Sequence, residues 1–219
     1  MKPLAECRLY GFVDSAFLRD RAPAALAREL CEGGTDLIQW RAKGWPVERV
    51  SAVARELLPV TREYGVRLVI NDHFGVARDL GVEVCHLGQE DFFDAGYRVV
   101  SDLRGASARP EIGLSTHAPE DAQRAMLAKP DYIATGPVFA TGTKPEARPV
   151  TLDYVRWAAD HVALPWFAIG GISLTNLRQV LDAGARRICV VSAILNVPDI
   201  AAECRRYLEV LAEYPLSAK

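Results

Sequence analysis

Long uncharged runs are missing from this sequence. No stretch approaches the ~18 consecutive apolar residues of a membrane span. The opening segment, MKPLAECRLYGF, has neither a long apolar core nor a small-residue cleavage pattern, so a secretory leader is not expected. Excess charge of either sign is missing too. Lys and Arg number 26 and Asp and Glu 28, for a net charge of −2, which leaves no basic footprint for nucleic acid. The five cysteines (Cys7, Cys31, Cys85, Cys189 and Cys204) include no C-x-x-C pair. They read as reduced thiols of a cytoplasmic protein rather than a disulfide framework or zinc site. A glycine-rich turn after the first apolar run is absent as well: RLYGFV is followed by DSAFLRD. That argues against an open dinucleotide-binding sheet.

What is present is ordinary globular composition, half hydrophobic and a quarter charged, over 219 residues. This length suits one domain, taken here as residues 1–219. Eight short apolar runs read as strands: 8–13, 36–40, 67–71, 82–87, 111–115, 132–136, 166–170 and 187–192. Helical stretches alternate with them. The clearest is PVERVSAVARELLPVTREYG, with Val47, Val50, Val53, Ala54, Leu57 and Leu58 at helical spacing and Pro46 in its first turn. Eight strand–helix units in this length predict an α/β, single-domain (βα)8 TIM barrel.

Barrel sites form at the C-terminal ends of strands, and polar residues gather there. The second run ends in QWRAK, where alternation puts Gln39, Arg41 and Lys43 on one face and Trp40 and Ala42 on the other. Two cations facing a barrel interior require an anion opposite them. The third run ends in Asn71-Asp72, the fourth leads through HLGQED to Asp91, and the fifth ends in Ser115 and His117. Asp72 and Asp91, on neighbouring strand ends, suit one hard cation such as Mg2+ shared with phosphate oxygens. The competing reading makes Asp72 a helix cap and Asp91 a solvated acid. GPVFATGTKPEARPV (136–150) is too long for a plain connection and reads as a binding loop. Gly170-Gly171 and Ser192, at the ends of the last two runs, suit a phosphate held by backbone N–H groups, against the alternative of a tight turn. His86 reads as packed and hydrogen-bonded. His117 at the mouth stays open, and so does Trp45, as either a loop anchor or a rim residue.

QWRAK, NDH, HLGQED, GLSTH, TGPVFATGTK, AIGGI and VVSAI occur in this order along nearly the whole chain. The set resembles the thiamine-phosphate synthase family. The resemblance implies a Mg2+-dependent transferase that joins 4-amino-2-methyl-5-(diphosphooxymethyl)pyrimidine to a thiazole phosphate, giving thiamine phosphate and pyrophosphate. It implies that Gln39, Trp40, Arg41, Ala42, Lys43, Asn71, Ser115 and Lys144 bind the pyrimidine diphosphate. Arg41, Lys43, Lys144 and Ser115 would be the catalytic ones among them. Thr141, Gly142, Thr143, Gly171, Val191 and Ser192 would hold the thiazole phosphate, and Asp72 and Asp91 the Mg2+. The family usually has leucine at Trp40 and glutamate at Ala42, both on the outward face.

Two other readings stay open. A thiazole tautomerase on the same barrel would use the phosphate site and His117 as acid–base group. A noncatalytic phosphate-ligand sensor would keep only the residues of the last two strands. All three readings take small phosphorylated molecules as partners, need neither nucleic acid nor membrane, and leave open a homo-oligomer.

Overall fold

The computed structural model describes residues 1–105, 107, 109–142 and 148–216. Its strands are β1 (Leu9–Asp14), β2 (Leu37–Arg41), β3 (Arg67–Asn71), β4 (Val84–Leu87), β5 (Glu111–Thr116), β6 (Tyr132–Thr135), β7 (Trp166–Ile169) and β8 (Ile188–Cys189). Each pairs in parallel with the next, and β8 closes on β1 through Leu9↔Ile188 and Tyr10↔Cys189. The helices between them are α1 (Pro23–Glu32), α2 (Val47–Glu63), α3 (Phe74–Leu80), α4 (Gln89–Asp94), α5 (Val100–Arg104), α6 (Pro119–Leu127), α7 (Thr151–His161), α8 (Leu177–Asp182), α9 (Ser192–Leu195) and α10 (Ile200–Ala212). This is the expected (βα)8 barrel. Among the described residues, no helix is long and apolar enough to cross a membrane.

The period-2 alternation of strand side chains sorts the hydrophobic residues into two cores. Leu9 and Val13 of β1, Ile38 and Trp40 of β2, and Leu68 and Ile70 of β3 face the helical layer and join one cluster. Tyr10, Phe12, Leu37, Val69, Val84, Tyr132, Phe167 and Cys189 face inward and form the second. Tyr10, Tyr132 and Phe167 meet edge-on, with ring centroids 5.5–6.2 Å apart, and close the barrel floor. Gly113 of β5 makes room for this floor, because a Cβ there would lie 2.1 Å from the Tyr132 ring.

Of the boundaries that differ from expectation, two do so for evident local reasons. Pro46 is the N-cap of α2 rather than a first-turn residue. Its carbonyl accepts from the N–H groups of Arg49 and Val50, a role that needs no N–H of its own. The last strand stops at Cys189 instead of 192, because Val191 turns to φ −114°, ψ −90° and opens α9.

All five cysteines are free and buried. Burial disfavours the thiolate and pushes Cys7, Cys31 and Cys204 up to about 12, with Cys85 and Cys189 raised as well. The native protein at pH 8 is therefore expected to leave an aromatic disulfide reagent unreacted, whereas denatured protein releases its full thiol complement. Rapid labelling of the folded chain would contradict this burial. The sign of the linkage follows: the stability gained by keeping these thiols protonated is complete below the unfolded value of about 8.5 and drains away as pH rises towards about 12.

Candidate active site

The inward faces turn polar at the C-terminal ends of the strands, above the aromatic floor. A cavity opens there. One wall is built by Gln39 and Arg41 of β2, Asn71 of β3, His86 of β4 and Ser115 of β5. The opposite wall comes from Thr141, Gly170, Gly171, Val191 and Ser192, with Phe12, Ile169 and Ile172 supplying apolar surface. Of the expected substrate residues, eight therefore line one space: Gln39, Arg41, Asn71, Ser115, Thr141, Gly171, Val191 and Ser192.

Arg41 is already paired. Its Nη1 donates to Asp14 Oδ2 at 2.6 Å, with the two side chains only 13% and 1% exposed. Asp14 also accepts from the N–H of Ala16. Sequence reasoning asked which anion offsets the β2 cations and missed this protein-borne one, because it ended the first strand at Val13. Extending the alternation of Tyr10 and Phe12 by one step reaches Asp14.

Lys43 does not share the central cavity with Gln39 and Arg41. β2 ends at Arg41, so strand alternation no longer governs the chain at 43. Lys43 instead lines an adjacent hollow with Ala42, Gly44, Trp45, Asn71, Asp72 and His73. Asn71 belongs to both spaces and donates through Nδ2 to Asp72 Oδ2 at 2.5 Å.

Trp40 keeps the outward place that strand alternation gives it, so its side chain is not part of the cavity wall. It is fully buried between barrel and helices, and its Nε1–H donates to the Val50 carbonyl of α2 at 3.1 Å. Ala42 is buried and reaches only the second hollow. Trp45 packs edge-on against Trp40 and carries the Arg49 guanidinium 3.5 Å from its ring centre, while also lining that hollow. It is both anchor and rim.

Asp72 takes φ +64°, a left-handed conformation that aspartate tolerates better than most residues. Its backbone N–H donates to the His86 carbonyl, tying the end of β3 to β4. The helix-cap alternative fails, since the N-cap of α3 is His73 and makes no side-chain cap. Asp91 lies in the first turn of α4, its carboxylate folded back over Gly88. Both aspartates are exposed, and no ion pair among the described residues engages either. These two carboxylates, one just past the end of β3 and one in the first turn of α4, are the donor type that a hard dication takes when it completes its shell with water and phosphate oxygens.

The glycine pair serves packing as well as the cavity. Gly170 has φ +102° and Gly171 φ +63°; Cβ atoms there would lie 2.3 Å from Pro137 and 2.6 Å from the Ala140 carbonyl oxygen. The loop after β6 thus rests directly on this turn. Gly142 is exposed and outside the cavity lining. Thr143 and Lys144 lie outside the described residues.

His117 lines the cavity and bonds through Nδ1 to the Gly136 carbonyl. His86, expected to be packed and hydrogen-bonded, is so, but it also faces the cavity. Its Nε2 lies 2.9 Å from Ser115 Oγ and its Nδ1 2.9 Å from the Tyr132 hydroxyl. The Ser115–His86 pair is continued by a tyrosine rather than an acid, so it is no acyl-transfer triad.

A closed parallel barrel whose polar side chains and glycine turn converge at the C-terminal mouth defines a (βα)8-barrel enzyme. The family model described as thiamine monophosphate synthase matches residues 9–194. A thiamine-phosphate synthase of Thermus thermophilus is 43% identical over 88% of this chain and 88% of its own length. One from Halalkalibacterium halodurans is 37% identical over 96% and 98%. Among solved structures, a thiamine phosphate pyrophosphorylase from Pyrococcus furiosus superposes with a TM-score of 0.85 at 28% identity, covering 97% of this chain and 99% of that one. The chain belongs to the thiamine monophosphate synthase family.

Proposed function

We propose that this enzyme condenses 4-amino-2-methyl-5-(diphosphooxymethyl)pyrimidine with a thiazole phosphate, giving thiamine phosphate and pyrophosphate. The observation that carries the reading is the two-sided cavity. Amide, guanidinium and hydroxyl groups of β2, β3 and β5 face a wall of glycine, serine and threonine from the later strands.

In this reading Gln39, Asn71 and Ser115 hold the pyrimidine. Arg41 and Lys43 take the diphosphate, and Lys144, which the family resemblance implies, joins them. Gly171, Val191, Ser192 and Thr141 seat the thiazole phosphate, together with Thr143 on the same ground. Asp72 and Asp91 would hold Mg2+, whose chemistry when bound is to offset negative charge on the diphosphate oxygens.

The aminopyrimidine ring stabilises positive charge on its exocyclic methylene carbon, so pyrophosphate leaves before the new bond is complete. Arg41 and Lys43 stabilise the charge gathering on the leaving group. The phosphate seat fixes the thiazole so that its ring nitrogen meets that carbon. No side-chain nucleophile is required. The test is pyrophosphate release from the purified protein with both substrates, with and without Mg2+. Release is expected only when both substrates and the metal are present.

The two rivals are separated at His117. Bond formation uses the thiazole nitrogen lone pair and needs no side-chain base, so His117→Gln is expected to retain substantial coupling activity. A tautomerase would move a proton between carbons, and losing its acid–base group would cost ~10²–10⁴-fold. Metal-independent isomerisation that disappears in His117→Gln, with no pyrophosphate from the wild type, would replace the synthase reading. Magnesium-independent ligand binding without turnover would favour a sensor.

A further inference from the structure

Five polar side chains form one unbroken hydrogen-bonded line across the barrel floor. Gln39 Nε2 donates to the Tyr10 hydroxyl at 2.6 Å. The Tyr10 hydroxyl lies 3.1 Å from that of Tyr132, which lies 2.9 Å from His86 Nδ1. His86 Nε2 lies 2.9 Å from Ser115 Oγ. The line begins and ends in the cavity wall, at β2 and β5, while Tyr10 and Tyr132 are 1% and 0% exposed beneath it.

Donor counting gives this line a direction. An amide nitrogen carries only donors, so the Tyr10 oxygen accepts from Gln39. A phenol oxygen can accept twice, but the buried Tyr10 hydrogen needs an acceptor of its own, and the Tyr132 hydroxyl is the one beside it. With that bond made, the Tyr132 hydrogen falls to His86 Nδ1. An accepting Nδ1 places the neutral imidazole's proton on Nε2, where it donates to Ser115 Oγ. The Ser115 hydrogen is left for the cavity. Burial raises both phenols well above their usual range, so both keep their protons.

We propose that Gln39, Tyr10, Tyr132, His86 and Ser115 act as one directional relay, with Tyr10, Tyr132 and His86 as positioning residues that aim the Ser115 hydroxyl as a donor while the Gln39 carbonyl remains an acceptor. This deepens the functional reading above and rests on it for the ligand. An aminopyrimidine offers the matching pattern, an exocyclic amino donor and a ring-nitrogen acceptor. An acceptor for the amino group also favours the positive charge that spreads over the ring as pyrophosphate departs. Linked hydrogen bonds polarise one another, so the fixed order strengthens both ends.

The relay makes a prediction about atoms far from any ligand. With [15N]histidine-labelled full-length protein at pH 8, long-range 1H–15N correlation reads the tautomer of His86, whose signal is assigned by its loss in His86→Asn. The wild type is expected to carry the proton on Nε2. Tyr10 is not a cavity-lining residue and is linked to His86 through Tyr132, yet Tyr10→Phe cuts the directional signal from Gln39. The Nδ1–H tautomer is then expected to appear at about a tenth of the population or more, with kcat falling about tenfold. Tyr132→Phe removes the partner of Nδ1 itself and should show the same two effects. The KM for the thiazole phosphate should stay within about twofold in both variants, since its seat lies on the other wall.

A wild-type proton on Nδ1 would overturn the relay. So would a Tyr10→Phe protein with unchanged tautomer and unchanged turnover. Failure of the functional reading looks different: the wild type then releases no pyrophosphate, while the ligand-free spectra still decide the relay.

Discussion

Replacing Arg41 with methionine is expected to lower kcat/KM for the pyrimidine diphosphate at least about thirtyfold and to destabilise the fold as well. The catalytic part follows from the chemistry. A guanidinium on a diphosphate makes charge-assisted, often bidentate bonds. Losing one where negative charge accumulates costs ~2 kcal/mol or more in the transition state. The stability part follows from Asp14. This carboxylate is 1% exposed and has Arg41 as its ion-pair partner at 2.6 Å. Removing one member of a buried pair leaves an uncompensated charge, typically at a cost of about 3–5 kcal/mol. The wet position of Arg41 at the cavity wall and the Ala16 N–H on Asp14 place the expected loss at the lower end. Denaturant unfolding measures it. The double substitution Asp14→Asn with Arg41→Met should recover most of the stability and none of the activity. Near-normal turnover of Arg41→Met at limiting pyrimidine diphosphate would remove Arg41 from the diphosphate site. Unchanged stability would remove Asp14 as its counter-ion.

The behaviour of this pair shows how far the amino-acid order could be read. Eight apolar runs with helical intervals were enough for the barrel, because a parallel strand buried on both faces leaves a near-continuous hydrophobic signature. Strand-end polarity was enough to bring Gln39, Arg41, Asn71, Ser115, Gly171 and Ser192 to one cavity, since position along a barrel strand maps onto height above the floor; Thr141 and Val191 were reached only through the family resemblance. Lys43 needed more. Alternation holds only while the chain remains a strand, and β2 ends at Arg41. Beyond that point Lys43 follows a turn to the second hollow, while Trp40, still within the strand, keeps its outward place against α2. The relay was illegible for another reason. Tyr10, His86 and Tyr132 come from three separate strands and look like ordinary core residues in sequence. Only closure of the sheet, with β4 beside β5 and β5 beside β6, brings the ring of Tyr132 over Gly113 and its hydroxyl to His86.

The aspartates define the second large expected effect. Asp72→Asn and Asp91→Asn should each raise the Mg2+ concentration needed for half-maximal pyrophosphate release about tenfold or more, with little change in unfolding midpoint. Both carboxylates are exposed and neither joins an ion pair among the described residues, so neutralising them leaves no buried charge behind. Asparagine is the apt replacement at 72, because it accepts the left-handed backbone seen at φ +64°. What changes is the attraction between carboxylate and dication. For unit charges 4 Å apart this is ~1 kcal/mol in bulk water and ~4 kcal/mol at a protein surface, and the double charge of the metal enlarges it. A tenfold shift corresponds to ~1.4 kcal/mol, at the weak end of that range. The Asn71 amide, which donates to Asp72 Oδ2, adds a second readout. Asp72→Asn replaces a charged acceptor beside Asn71 with a neutral amide. It should therefore also raise the KM for the pyrimidine diphosphate at saturating Mg2+, whereas Asp91→Asn at saturating metal should leave that KM near its wild-type value. If titrations of both variants retrace the wild-type curve, the two strand ends do not share a cation, and diphosphate charge must be balanced by the basic residues alone.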